Sequence, residues 1–194
     1  MIAKQLLALL LSVGASASPL ALRSVFTVLT DLSTISAHLS ILSTTVGNFD
    51  GTLTGAVSVQ QDEITLSDAL NKTVIDVTAS SAFGAADSTS VTHALTGLES
   101  GIVTVLDKII GKVASTVSRE WSNNPITDDV LKKALFASAG VTSIVLSDLE
   151  TLQNLTDGLS KQLQQKVTSG DASTIASEAA QLDGAYAVAI SAFS

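Results

Sequence analysis

Two histidines, His38 and His93, are the near-neutral acid/base groups of this 194-residue sequence. Neither stands at a zinc-ligand spacing or beside a carboxylate and a nucleophile, so both read as helix-surface residues. The segment Gly97-Leu98-Glu99-Ser100-Gly101 has the bounding glycines of a nucleophile elbow. Its serine comes one place late and its surroundings are helical, which rules the motif out. Asp128-Asp129 is the one adjacent carboxylate pair in its region that could do acid/base work, and helix capping explains it with fewer assumptions. No phosphate-cradling glycine loop, dinucleotide fingerprint or calcium loop occurs. These observations give an expectation of no catalytic residue, no metal and no cofactor.

The chemistry that composition does favour is apolar contact. Hydrophobic residues make up 46% of the chain and charged ones 14%, enough apolar area for a packed core. Aromatics are only 4%, so the interior must be built from Leu, Ile, Val and Ala. A formal charge of -8, from 10 basic and 18 acidic residues, opposes phosphate binding and excludes nucleic acid as a partner.

The N-terminus has the layout of a secretory signal. Lys4 is the positive start, Leu6 to Val13 the apolar stretch, and Ala15-Ser16-Ala17 the small-residue cleavage site. Residues 1–17 are therefore expected to be removed, leaving 18–194 as one domain, secreted or cell-wall associated. The apolar run is shorter than the ~20 residues that span a bilayer, so no transmembrane segment is expected. The chain has no cysteine, and stability must come from burial without disulfides. Asn71-Lys72-Thr73 and Asn154-Leu155-Thr156 are glycosylation sequons, which place Asn71 and Asn154 on the surface if they are used.

Hydrophobic periodicity supplies the elements. Val25, Val28, Leu32, Ile35, Leu39, Leu42 and Val46 step by threes and fours and predict a first helix ended at Gly47 by a left-handed cap. Asn48-Phe49-Asp50-Gly51-Thr52 then forms a corner in which Phe49 plugs the gap between two helices. A more polar second helix is expected from Thr52 to about Phe83, and a turn from Gly84 to Ser90. A third helix follows from Val91 to Val117, tolerating Gly97, Gly101 and Gly111 in its interior. Trp121 to Pro125 is a connector. A fourth helix begins at Thr127 and runs through Val145, Leu149, Leu152, Leu159 and Leu163 to about Thr168, where Gly170 ends it. A fifth covers Ile175 to Phe193. The expected fold is all-α, a single bundle of about five amphipathic helices.

With a signal, five helices, no cysteine and the Asn48-Phe49-Asp50-Gly51 corner after the first long helix, the chain resembles the fungal hydrophobic surface-binding protein A and cell-wall galactomannoprotein family. The likeness covers nearly all of the mature chain, with Thr52 in place of a second glycine in the corner. The resemblance implies a domain that adsorbs to hydrophobic solid surfaces and can help recruit a polyester-degrading esterase or cutinase; some relatives enclose a fatty acid or other lipid between their helices. For a lipid cavity, Leu32, Leu39, Leu70, Val74, Leu106, Ile109, Leu149 and Leu152 are the candidate walls, and Ser67 and Thr73 the candidate head-group partners. For each residue singly, ordinary core packing is the competing reading. Trp121 is the candidate surface anchor, because an indole joins an apolar body to one polar donor. The alternative function is a structural or antigenic wall mannoprotein without a cavity, and an unrecognised hydrolase is a third.

Overall fold

The computed structural model describes residues 24–111 and 131–194, and all of its regular elements are helices. They are α1 (Val25–Gly47), α2 (Leu53–Ala79), α3 (Ala85–Ile110), α4 (Leu131–Ser138), α5 (Thr142–Gln164) and α6 (Ser169–Phe193). The signal segment and the Trp121 to Pro125 connector lie outside the described residues, as do Thr127, Asp128 and Asp129.

Most boundaries follow from capping chemistry. Ser24, Thr52 and Thr168 are extended N-cap residues whose hydroxyls accept from the backbone N–H groups of Thr27, Gly55 and Asp171. At the corner, Asp50 Oδ1 accepts from Thr52 N at 3.0 Å and from its hydroxyl at 2.7 Å, fixing the cap itself. Gly51 turns the chain there with φ 84°; any side chain at this position would be strained, and its Cβ would meet Leu135.

Five expected boundaries move. The left-handed cap falls at Gly111 (φ 82°), which ends α3 and is not interior to it. Gly47 remains helical, with Asn48 closing α1 in a right-handed conformation. The long fourth helix is divided by Gly140 (φ 74°) into α4 and α5, which raises the described helices to six. Gly170 lies in the first turn of α6, because Thr168 two residues earlier already satisfies the cap. The expected turn at Gly84 to Ser90 is shorter: Gly84 is the N-cap of α3, and the helix begins at Ala85.

The five long helices form a closed ring in the cyclic order α1, α2, α5, α6, α3, each packed against its two neighbours. The short connectors make α1 and α2 antiparallel, and likewise α5 and α6. At one end the α2–α3 and α5–α6 connectors are tied together: Phe83 N donates to Lys166 O at 2.7 Å and Lys166 Nζ to Ser80 O at 2.7 Å. At the other end α4 packs against α3 and α5. There Phe136 stacks on Phe49 with ring centroids 4.4 Å apart and meets Phe193 edge-on at 6.0 Å. Phe49 thus plugs the α1–α2 corner as expected, and three rings close this end in a chain with few aromatics.

Helix α1 is long and apolar enough to cross a membrane, with a mean hydropathy of 1.4. Its apolar side is spent inside the ring: Val28, Leu32, Ile35, Leu39, Leu42 and Val46 are buried. Replacing Phe136, 1% exposed, by Ala should cost about 3–5 kcal/mol, lowering the thermal midpoint by about 2–4 °C per kcal/mol at this chain length. Circular dichroism melting checks this, and an unchanged midpoint would show that the ring cluster is not what closes this end.

Candidate functional site

One apolar cluster fills the ring, drawing on all six helices. Seven of the eight candidate wall residues belong to it: Leu32 and Leu39 from α1, Leu70 from α2, Leu106 and Ile109 from α3, and Leu149 and Leu152 from α5. Val74 is partly buried against it. The structure therefore gathers them in one interior, in contact with a set from α6 that sequence reasoning did not single out: Ile175, Leu182, Tyr186, Ala189 and Phe193.

The candidate head-group residues are placed differently. Thr73 is fully buried, but its hydroxyl donates to Ala69 O in its own helix at 2.8 Å. Ser67 is half-buried and donates to Glu63 Oε1 at 2.7 Å. Both protons are committed within α2, the usual use of Ser and Thr inside a helix. Asn71 and Asn154 are both exposed. Trp121 lies outside the described residues. His93 is exposed and His38 half-buried on their helices.

The opening onto the core lies between the first turns of α2 and α5. It is an almost wholly apolar pocket of about 130 Å³, walled by Leu53, Ala56, Val57 and Val59 from α2 and by Val141, Ile144 and Val145 from α5, with Phe136 of α4 at its end. On the same measure one water needs about 10–15 Å³, so the space takes a short apolar segment. Its inner wall is core, since Ala56, Phe136, Val141 and Val145 are all buried. Val145 leads by helical steps of four and three to Leu149 and Leu152 on the same face of α5. None of the eight candidate wall residues lines the mouth itself. The sequence signal that could have found it is the unusual pair Leu53 and Val57, apolar positions off the buried stripe of α2.

The rim carries the pocket's polar groups, Gln60 and Asp148. Gln60 Nε2 donates to Glu63 Oε2 at 3.4 Å. Burial raises the Asp148 pKa above its ordinary value, partly offset by the Gln60 side chain. Burial also raises Glu63, and the negative charges of Asp148 and Asp68 add to the effect. The mouth thus carries one carboxylate that resists ionisation, Asp148, and one amide donor, Gln60, which also bonds Glu63 one turn along α2. Deeper in, Tyr186 is buried with its OH 3.4 Å from Thr156 Oγ1. Burial pushes its pKa up to about 12, so the phenol is neutral throughout the physiological range.

Polar pairs otherwise sit in the seams between helices. Lys72 of α2 binds Asp31 of α1 and, at 2.8 Å, Asp76 of its own helix. Glu178 of α6 accepts the Thr96 hydroxyl of α3 at 2.5 Å. Ser88 of α3 bonds Asp171 of α6 and accepts from Thr168 N at 2.8 Å. A second, more polar groove of about 250 Å³ runs between α1 and α3, lined by hydroxyls such as Ser36, Ser40 and Thr104 and by Gly97 and Gly101. Among the described residues no cluster of His, Cys, Asp and Glu could hold a metal ion.

This architecture has known counterparts. The profile of the family described as hydrophobic surface binding protein A matches residues 25–118, which include α1 to α3. The crystal structure of AFMP4P in complex with palmitic acid superposes with a TM-score of 0.76 and 40% identity, over 88% of this chain and all of that one. The chain belongs to the hydrophobic surface binding protein A family. The same fold recurs, at 17% and 14% identity, in ligand binding domains 1 and 2 of the Penicillium marneffei MP1 protein, both complexed with arachidonic acids. Their TM-scores are 0.72 and 0.69, over 88% and 85% of this chain and 97% and 92% of theirs. No curated protein matches the sequence. Membership in the hydrophobic surface binding protein A family turns attention to the apolar mouth.

Carboxylate burial sets the pH dependence of this family member's stability. Asp31, Glu63, Glu99, Asp148 and Asp157 all have raised pKa values, with burial the largest cause in each. The folded chain then holds these protons more tightly than the unfolded chain, so stability falls as pH rises from about 4 through the folded values. Asp171 is lowered by its Ser88 and Thr168 hydrogen bonds and acts oppositely, but only below its ordinary 3.8. Lys72 is raised by Asp31 and Asp76, and its effect is constant in acid. The thermal midpoint should be higher near pH 5 than near pH 7.5, by about 2–4 °C per kcal/mol of linkage. A midpoint that drops over that acidification contradicts the assignment.

Proposed function

We propose that the protein is a secreted, non-enzymatic binder of fatty acids and related lipids that also adsorbs to apolar surfaces. The observation that carries this reading is similarity over 88% of the chain, at 40% identity, to a protein crystallised with palmitic acid. The pocket supports it from the physical side, being apolar, open, and floored by core side chains.

In this reading an acyl chain enters methyl end first between α2 and α5. Its carboxylate stays at the rim, because an anion is costly to bury in the apolar interior and Gln60 is the donor within reach. The pocket is shorter than a palmitoyl chain, so uptake requires the side chains beneath it to repack. Leu149, Leu152 and Leu70 are the first walls the chain would meet, with Leu32, Leu39, Val74, Leu106 and Ile109 beyond. Such rearrangement is least costly in a core of aliphatic residues, which tolerates repacking when volume and pattern are kept. Secretion through removal of residues 1–17, use of the Asn71 or Asn154 sequon, wall association and a surface-anchoring role for Trp121 belong to the same proposal. Assistance to an esterase working on an apolar polymer would follow from adsorption.

Native mass spectrometry of delipidated protein exposed to palmitic acid tests the binding reading. A discrete adduct of one or two ligands is expected, and Ala56→Phe, which fills the pocket from α2, should weaken it about tenfold. A wild-type protein that forms no adduct would leave the alternative of a fully packed wall mannoprotein.

A further inference from the structure

Helix α2 carries apolar residues where a ring helix has no use for them. Leu53, Val57, Ile64 and Ile75 are 44–66% exposed, although their neighbours Ala56, Leu66, Leu70 and Val77 fill the core. At 100° per residue these four fall within about 40° of arc. The other α2 residues within about 20° of that arc are Gln60, Asp68, Asn71 and Thr78, of which Asp68, at its edge, is charged. The remaining charged residues of the helix, Asp62, Glu63, Lys72 and Asp76, lie at least about 60° outside the arc. From Leu53 to Ile75 the line is about 33 Å long, and across the pocket at its upper end stands Ile144, also exposed.

We propose that this outer face of α2 is the surface by which the protein lies down on an uncharged apolar phase such as a hydrocarbon or polyester surface. The inference rests on the adsorption reading above and assigns it to particular residues. Charge selects the occupant: an apolar arc with no basic residue on it and one acid, Asp68, at its edge, in a chain of net charge -8, fits an uncharged surface and is repelled by an anionic bilayer. Area argues against a second copy of the chain. Four side chains this exposed offer on the order of 400 Å², about half of the ~800 Å² per partner in a stable protein interface. Shape agrees, since the outer face of a single straight helix is convex and meets a plane along its length. The pocket mouth opens at one end of the line, so a chain end drawn from the surface could pass directly inside.

The test uses Ile64→Gln/Ile75→Gln, which changes the stripe outside the pocket. The control is Ile41→Gln/Val188→Gln, equally exposed apolar positions on α1 and α6. All proteins are freed of N-glycans, because Asn71 lies on the stripe. Depletion from solution by hydrocarbon-coated beads should fall about tenfold for the α2 variant and stay near wild type for the control, with both variants retaining the palmitic acid adduct. Equal losses in the two variants, or no loss in either while wild type adsorbs, would overturn the assignment. So would a wild-type dimer in sedimentation that the α2 variant abolishes, or stronger binding to phosphatidylserine vesicles than to the beads. A wild type that fails to adsorb would instead remove the adsorption reading itself.

Discussion

Five amphipathic helices closed into a ring must each bury two flanks against helices that are mostly not their neighbours in sequence. The contacts α1 with α3, α2 with α5, and α3 with α6 close this ring, and no disulfide is available to hold them. The aliphatic stripes therefore carry the fold. Because α1, α3 and α6 run one way and α2 and α5 the other, three of the five seams join parallel helices. The connectors at one end and the Phe49–Phe136–Phe193 stack at the other then hold ends that the ring alone leaves open.

Specificity within this greasy frame comes from polar pairs in the seams. Lys72 of α2 with Asp31 of α1, Thr96 with Glu178, and Ser88 with Asp171 can each form in only one register, whereas sliding Leu past Leu costs little. Glu178 keeps one buried oxygen without a hydrogen-bond partner, and several carboxylates sit where burial resists their ionisation. The fold thus accepts an electrostatic cost at its seams and leaves its centre free of fixed charge. A centre of that kind recognises an alkyl chain by its length and bulk, not by its head group. Tyr186 and Thr156 add a neutral polar contact between α6 and α5, their hydroxyls 3.4 Å apart.

The stripes of α1, α3 and α5 were legible because each buries one face against a common core, and hydrophobic periodicity reports burial directly; in α6 abundant Ala blurs the pattern. The candidate walls were legible for the same reason, as members of one interior. What periodicity missed was backbone conformation at glycine: a left-handed Gly111 or Gly140 and a helical Gly47 look alike in sequence, since packing beyond the helix decides which one turns. The head-group choices Ser67 and Thr73 followed from residue type, while their hydrogen bonds depend on Glu63 and Ala69 one turn away. The mouth at Ala56, Val57 and Val145 was missed because it is formed between helices nearly ninety residues apart in sequence.

The central claim is that an acyl chain enters between α2 and α5 and is held by the ring's interior. Methyl-selective NMR with palmitic acid measures this most directly, through intermolecular contacts between the alkyl chain and assigned side chains. The account predicts contacts to Val145, Leu149 and Leu152 with the carboxylate end near Gln60. Contacts confined to the outer methyls of Ile64 and Ile75, with none to the α5 interior, would contradict it.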